Sequence, residues 1–168
     1  MKKTKIFISY AVFMALLVAA DYFSKLWMVN NLKGKEDIVW IKNVFELQYL
    51  ENTGAAFSSF LGKQGFLITI SSLIFLVVLW KFIQIPEGKR YGFMRFSFAL
   101  LMSGAIGNLI DRVKQGYVVD FFYFMPINFP RFNVADCYVC VAMGLIVIFL
   151  IFVYKDEETE FLFHIKKK

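Results

Sequence analysis

The sequence predicts a membrane protein of the all-α class, with four transmembrane helices, a small β-sheet outside the bilayer, and an interfacial loop or short helix. Three observations indicate this fold class. Of the 168 residues, 59% are hydrophobic and 19% aromatic, an excess over ordinary soluble domains. Four apolar segments approach the ~20 residues that a helix needs to cross a bilayer. Nearly all charged residues lie between these segments, so we expect the chain to fold in lipid.

The four apolar segments are interpreted as helices over about residues 6–28, 66–85, 91–112 and 134–154, because lipid offers no partner to an unpaired backbone. They make residues 1–168 a single integral membrane domain. The first segment has an alternative interpretation. Three lysines precede an apolar run that ends in Val18-Ala19-Ala20, which is also the pattern of a cleavable signal peptide.

The distribution of Lys and Arg predicts the orientation of the chain. Eleven of the 19 lie at the N-terminus, in the second connection or in the C-terminal tail, and six lie in the first and third connections. The positive-inside rule then places both termini in the cytoplasm. The net charge of +6 does not indicate nucleic-acid binding, because no basic stripe with interleaved aromatics lies on a polar face.

The two outer connections differ in character. In residues 30–65, Ile38 to Ile41 and Val44 to Leu50 have the composition and alternation of short β-strands around the turn-prone Lys42-Asn43. We expect them to form a small sheet on the membrane surface. Residues 113–132 are crowded with aromatics, which is typical of a loop or short helix at the lipid headgroups.

The polar residues that interrupt the apolar pattern all fall at the outer ends of the predicted helices or in the outer connections. Asp21 and Lys25 lie four residues apart on one helix face, in the order that favours an ion pair. The third helix carries Gly104, Asn108 and Arg112 as a stripe, with Asp111 on its flank, and the remaining candidates are Asn52, Gly54, Asp120, Asn133 and Asp136.

Each candidate also has a purely structural interpretation. Asp21 and Lys25 could be an ion pair only, and Gly104 could simply let two helices approach. Asn133 could be an N-cap, with Asp136 interacting with the helix dipole. These interpretations are weaker for the group as a whole. Ionisable side chains at membrane depth are costly, and they tend to face a protein interior or a water cavity.

Asp120 and Asp136 would suffice for peptide hydrolysis if one water molecule joined them. An ionised carboxylate takes a proton from the water, and a protonated one polarises the scissile carbonyl and later protonates the leaving amine. Two carboxylates this close share one proton. Because Asp136 lies near a helix N-terminus, which favours negative charge, we expect Asp136 to be the base and Asp120 the acid.

Five motifs cover nearly the whole chain, in this order: Asp21-Tyr22-Phe23-Ser24-Lys25, Glu51-Asn52-Thr53-Gly54-Ala55-Ala56-Phe57, Gly104-Ala105-Ile106-Gly107-Asn108-Leu109-Ile110-Asp111-Arg112, Val119-Asp120-Phe121 and Phe132-Asn133-Val134-Ala135-Asp136. Together they resemble the motifs of the lipoprotein signal peptidases, also called type II signal peptidases, of bacterial inner membranes. One departure is Tyr22, where the family more often has Gln. Tyr22 is expected to point away from the face of Asp21 and Lys25.

The resemblance implies an aspartic endopeptidase without metal or other cofactor, which cuts diacylglyceryl-modified prolipoproteins before the lipidated cysteine. It implies Asp120 and Asp136 as the catalytic pair. It also implies supporting or substrate-binding roles for Asp21, Lys25, Asn52, Gly54, Gly104, Asn108, Arg112 and Asn133. The implied partners are prolipoproteins, membrane lipids and cyclic-peptide inhibitors such as globomycin, bound by a monomer whose active site lies near the outer leaflet.

Two features of the sequence suggest functions other than proteolysis. Cys137 and Cys140 suggest a quinone-linked thiol oxidoreductase, but such enzymes need a second cysteine pair, which the sequence lacks. The acidic residues could instead serve a proton-coupled carrier, but no inverted repeat is evident. The single histidine, His164, falls in the predicted cytoplasmic tail. It can support neither a zinc site nor a serine nucleophile at the outer surface.

Overall fold

The computed structural model describes residues 2–54 and 62–163. Three motif residues (Ala55, Ala56 and Phe57), His164 and the C-terminal lysines of the predicted tail lie outside the described residues. The elements are helices α1 (Lys2–Leu32), α2 (Gln64–Gln84), α3 (Gly92–Gln115), α4 (Val134–Phe152) and α5 (Asp156–Phe163), and strands β1 (Ile38–Ile41), β2 (Phe45–Asn52) and β3 (Val118–Phe124).

Helices α1 to α4 are each long and apolar enough to cross a membrane, which confirms the predicted four-helix architecture. Helix α1 extends beyond the predicted segment at both ends, and α3 continues to Gln115. Gly116 ends α3 in the left-handed conformation, with φ of 78°, and donates its backbone N–H to the carbonyl of Arg112. Glycine adopts this conformation without a steric penalty.

The helices alternate in direction, so the bundle has two distinct ends. One end, called the terminal end below, contains the start of α1, the end of α2, the start of α3 and the end of α4. Phe82, Met94, Phe98 and Met102 belong to a buried apolar cluster there. Phe7, Tyr10 and Met14 of α1 pack against this cluster. Cleavage after Ala20 would remove these three side chains, so the packing favours a retained helix over a signal peptide.

The opposite end, called the sheet end, carries a three-stranded antiparallel sheet in the order β1-β2-β3. Strands β1 and β2 lie where the sequence predicts them. The expectation of a loop or short helix over the segment 113–132 is incomplete. After the last residues of α3, the segment contains β3 and a 3-10 turn at Met125–Ile127. Val, Phe and Tyr of β3 favour strands, and β2 offers them a paired edge.

A register shift in β2 positions one side chain of the site. Leu47 lies opposite Phe122, but Leu50 lies opposite Asp120, so β2 holds one more residue than β3 over this stretch. Such a bulge changes the alternation of side chains along the strand. Beyond it, the side-chain amide of Asn52 donates to Asp120 at 2.7 Å.

A second apolar cluster fixes the sheet to the bundle. It contains Met28 and Leu32 at the end of α1, Leu47 of β2, and Val119 and Phe121 of β3. Phe121 is fully buried. In the sequence of β3, Asp120 lies between the buried residues Val119 and Phe121. The packing that holds β3 therefore also holds the Asp120 backbone in place.

Helices α3 and α4 approach each other closely at Gly104. A Cβ atom there would overlap the backbone carbonyl oxygen of Ala135 and lie 2.7 Å from Cγ2 of Val139. This confirms the interpretation of Gly104 as a packing glycine. The close approach sets the first turn of α4 directly beside α3, and so determines where Asp136 lies.

Candidate active site

A cavity of about 460 Å³ lies at the sheet end of the bundle. Its polar lining comprises Asn52, Asn108, Arg112, Asp120, Arg131 and Asp136, and its apolar lining comprises Val118, Phe129, Pro130, Phe132, Cys137, Val139 and Cys140. Residues from β2, α3, β3 and α4 therefore meet in one space, although they are far apart in sequence.

Asp120 lies on β3 and is only 2% exposed. Each of its carboxylate oxygens accepts one hydrogen bond from a side-chain amide, Oδ2 from Asn52 and Oδ1 from Asn133, both at 2.7 Å. Burial raises the pKa of Asp120 to about 7, and the nearby charge of Asp136 adds to this rise. The two amide donors act in the opposite direction, without cancelling it.

Asp136 lies in the first turn of α4, where it forms a capping box with Asn133. The Asn133 side chain accepts from the backbone N–H of Asp136 at 3.0 Å, and Oδ2 of Asp136 accepts from the backbone N–H of Asn133 at 3.1 Å. Asn133 is thus an N-cap, as one interpretation of the sequence held. Its amide nitrogen also donates to Oδ1 of Asp120, so Asn133 bonds both carboxyl groups, that of Asp120 through its side chain and that of Asp136 through its backbone N–H.

Asn108 connects Asp136 to a buried lysine. Its amide nitrogen donates to Oδ1 of Asp136 at 2.8 Å, and its oxygen accepts from Nζ of Lys25 at 3.0 Å and from Nδ2 of Asn133 at 3.1 Å. An ammonium group can only donate. Lys25 therefore fixes which end of the Asn108 amide faces Asp136.

Lys25 is itself held between two carboxylates. Nζ lies 2.8 Å from Asp21 and 3.0 Å from Asp111, and the three side chains are at most 11% exposed. The predicted Asp21–Lys25 ion pair is confirmed. Asp21 also accepts from the backbone N–H of Ala135 at 2.9 Å, which joins α1 to the start of α4. Sequence reasoning left Asp111 without a role, because the motif spacing does not reveal a partner on another helix.

Arg112 and Gly54 join α3 to the end of β2. Nη2 of Arg112 donates to the carbonyl of Gly54 at 3.1 Å, and the backbone N–H of Gly54 donates to Oδ1 of Asn52 at 2.9 Å. This second bond leaves the amide nitrogen of Asn52 to face Asp120. Arg112 Nε is buried without a hydrogen-bond partner among the described residues, at the wall of the cavity.

The structure brings nearly all of the sequence-predicted site residues into one hydrogen-bonded network. Gly104 does not line the cavity and contributes through packing alone. Cys137 and Cys140 also line it, because Cys137 follows Asp136 directly and Cys140 lies one helical turn after Asp136 on the same side of α4. Among residues 2–54 and 62–163, no group of three or more His, Cys, Asp or Glu side chains is arranged to hold a metal ion.

The fold and site define a multi-pass membrane protein with two carboxyl groups at one buried cavity. Comparison with known proteins agrees with this class. The model of the family described as signal peptidase (SPase) II matches residues 13–152. A lipoprotein signal peptidase of Clostridium tetani is 44% identical over 153 residues, covering 89% of this chain and 94% of the relative. One of Lactococcus lactis is 38% identical, covering 85% and 91%.

Solved structures give the same result. A bacterial membrane enzyme determined by the in meso method at 2.3 Å resolution has a TM-score of 0.74 and 28% identity, covering 95% of this chain and 93% of its own. A second, at 1.9 Å, has a TM-score of 0.74 and 29% identity, covering 87% and 94%. The chain belongs to the signal peptidase II family and is therefore a bacterial membrane protease.

The buried ion triad leads to a stability prediction. Lys25→Met should leave Asp21 and Asp111 buried without a cation, at a cost of about 3 kcal/mol or more. Thermal unfolding in detergent should show a clearly lower Tm. Lys33→Met is the matched control, because Lys33 pairs with Glu51 at 2.7 Å on the exposed surface and such pairs contribute little. Equal Tm values for the two variants would contradict a structural role for the triad.

Proposed function

We propose that Asp120 and Asp136 are the catalytic pair of this protein. As a member of the signal peptidase II family, the protein is an aspartic endopeptidase that removes signal peptides from prolipoproteins, cleaving before the lipidated cysteine. The observation that carries the proposal is that the two carboxyl groups line one cavity and that Asn133 donates a hydrogen bond to each, from its side-chain amide to Asp120 and from its backbone N–H to Asp136.

The two carboxyl groups have different surroundings, and this supports a division of labour. Asp120 is buried on a strand, and its pKa of about 7 keeps much of it protonated near neutral pH. Asp136 lies in the first turn of α4, where the helix dipole and the Asn133 N–H favour a negative charge. Asp120 then serves as the acid and Asp136 as the base.

In the proposed reaction, Asp136 removes a proton from water as the water oxygen attacks the scissile carbonyl carbon. Asp120 donates a hydrogen bond to the carbonyl oxygen. When the tetrahedral intermediate collapses, the C–N bond breaks and the Asp120 proton passes to the leaving nitrogen. The new carboxylic acid and Asp136 then lose their protons, one of which returns to Asp120.

The other polar residues are proposed to support this pair rather than to react. Asn52, Asn108 and Asn133 present neutral donors to the carboxyl oxygens, so they position the pair without adding charge. Lys25 and Asp21 hold Asn108 and the first turn of α4 in place. Arg112 fixes Gly54 and the adjoining end of β2. Gly104 allows α3 and α4 to approach.

The cavity suits a substrate that comes from the bilayer. Its apolar wall, which includes Phe129, Phe132 and Val139, is proposed to accept the diacylglyceryl group and the end of the apolar signal peptide. Cyclic-peptide inhibitors such as globomycin are proposed to occupy the same space. All the residues of this site come from one chain, so a monomer forming a single membrane domain suffices.

The orientation proposed for the protein follows from its charge distribution. The excess of Lys and Arg at the terminal end supports cytoplasmic termini, and with them a position of the sheet end and the catalytic pair near the outer leaflet. There the scissile bond is close to water while the acyl chains remain in lipid. The aromatic side chains of β3 and the segment after it suit this interfacial depth.

The catalytic proposal predicts that Asp120→Asn and Asp136→Asn each abolish cleavage. Loss of either the acid or the base commonly costs two to four orders of magnitude in rate (~10²–10⁴-fold), and here no other acid lines the cavity among the described residues. The measurement is a mass-spectrometric assay of one diacylated prolipoprotein with purified protein. Asp37→Asn is the control, because Asp37 is an exposed carboxylate in the first outer connection. Cleavage at a wild-type rate by either catalytic variant would refute the mechanism.

The raised pKa of Asp120 predicts an alkaline limit to activity. Protonated Asp120 is required, so kcat/KM should fall as pH rises through about 7. The hydrogen bond from Asn52 lowers the pKa of Asp120. Asn52→Ala should therefore move the alkaline midpoint upward. A rate profile that is flat from about pH 6 to pH 8, or an alkaline midpoint moved downward in Asn52→Ala, would count against the assignment of the acid.

A further inference from the structure

Arg131 lines the catalytic cavity but takes no part in the network around the two aspartates. It lies between Pro130 and Phe132, in the segment that joins β3 to α4. Its guanidinium donates twice to Oε1 of Gln48 on β2, from Nε at 2.9 Å and from Nη2 at 2.6 Å. The group also lies over the Tyr123 ring of β3, 4.5 Å from the ring centroid. Arg131 is therefore held against the sheet.

The charge of Arg131 is not neutralised by these contacts. Gln48 is neutral, and its own amide nitrogen donates to Glu46 at 2.8 Å. Among the described residues, Arg131 forms no ion pair, in contrast to Arg90 with Glu158 or Lys25 with Asp21. A guanidinium has five N–H donors, and only two of those on Arg131 have acceptors within the described ranges. A half-buried cation at a cavity wall thus retains donors for a ligand.

The immobilisation of Arg131 matters for binding. An unrestrained arginine loses much side-chain entropy when it binds. Here Gln48 and the Tyr123 ring already restrict the guanidinium, so less entropy is lost when a carboxylate binds. A planar guanidinium also matches the two oxygens of a carboxylate, and such charge-assisted bonds are stronger than neutral ones.

The place of Arg131 indicates which part of the substrate it meets, an argument that rests on the proposed function. The apolar signal peptide and acyl chains belong on the lipid side of the cavity. The mature segment, which begins at the lipidated cysteine, must leave toward water at the sheet. Arg131 lies on that side, because its contacts are with β2 and β3. We infer that Arg131, held by Gln48 and Tyr123, forms a subsite that binds an acidic side chain in the mature segment next to the lipidated cysteine.

The experiment uses three diacylated prolipoprotein peptides that differ only in the residue after the lipidated cysteine, which is Asp, Asn or Lys. kcat and KM are measured for the wild type, Arg131→Gln and Arg131→Lys. We expect the wild type to favour Asp over Lys by roughly tenfold in kcat/KM, mainly through KM, as for an accessible charge pair at a binding site. Arg131→Gln should reduce this ratio to about twofold or less. Arg131→Lys, which keeps the charge but not the planar fork, should give an intermediate ratio.

Lys42→Gln is the matched control. It removes the same charge from the exposed turn between β1 and β2, away from the cavity, and should keep the full preference for Asp. The same Asp-to-Lys ratio in Arg131→Gln as in the wild type would overturn the subsite. So would an equal loss on all three peptides that depends on the fraction of anionic lipid, because Arg131 would then bind a lipid headgroup. Failure of the wild type to cleave any of the peptides would instead refute the proposed function.

Discussion

The amide nitrogen of Asn133 donates to Asp120 at 2.7 Å, and the oxygen of the same side chain accepts from the backbone N–H of Asp136 at 3.0 Å. Two carboxyl groups that line one cavity repel each other when both are ionised. Neutral amides can donate hydrogen bonds to both without fixing the protonation state of either one. The rest of the site can be understood as the means of keeping these amides in the correct orientation.

The side-chain amides of Asn108 and Asn52 are each oriented by a neighbouring group that can only donate a hydrogen bond. Lys25 donates to the oxygen of Asn108, which turns the nitrogen toward Asp136. The N–H of Gly54 donates to the oxygen of Asn52, which turns its nitrogen toward Asp120. The positive charge of a buried lysine in a membrane helix costs free energy, and the carboxylates of Asp21 and Asp111 offset this cost. The triad of Asp21, Lys25 and Asp111 therefore supports the orientation of the amides indirectly, through the contact of Lys25 with Asn108.

Much of this arrangement could be predicted from the sequence. The continuous apolar segments predicted the four helices. The i to i+4 spacing predicted the Asp21–Lys25 ion pair, and the position of Asn133 three residues before Asp136 predicted the helix cap. These features depend on residues close together in the chain. The role of Asp111 depends instead on a partner in another helix, which spacing along α3 does not show. Its contact with Lys25 became evident only once the helices were packed together.

Strand β3 also could not be predicted from local sequence patterns alone. The aromatic residues of 113–132 suit the membrane interface and also suit a strand, so composition alone did not separate the two. Pairing with β2 decides between them, and it depends on a bulge that brings Asn52 to Asp120. The position of Arg131 beside the cavity could not be predicted either. It depends on contacts with Gln48 and Tyr123, which lie on two strands whose pairing was not predicted.

The proposed mechanism requires that Asp120 carries the shared proton of the carboxyl pair near neutral pH. Infrared difference spectroscopy of the purified protein tests it directly, through the C=O stretch of a protonated carboxylic acid. We expect a band that disappears as pH rises through about 7 and that is absent from Asp120→Asn. A band that persists in Asp120→Asn and is lost in Asp136→Asn would refute this assignment, because the proton would then reside on the helix-capping residue.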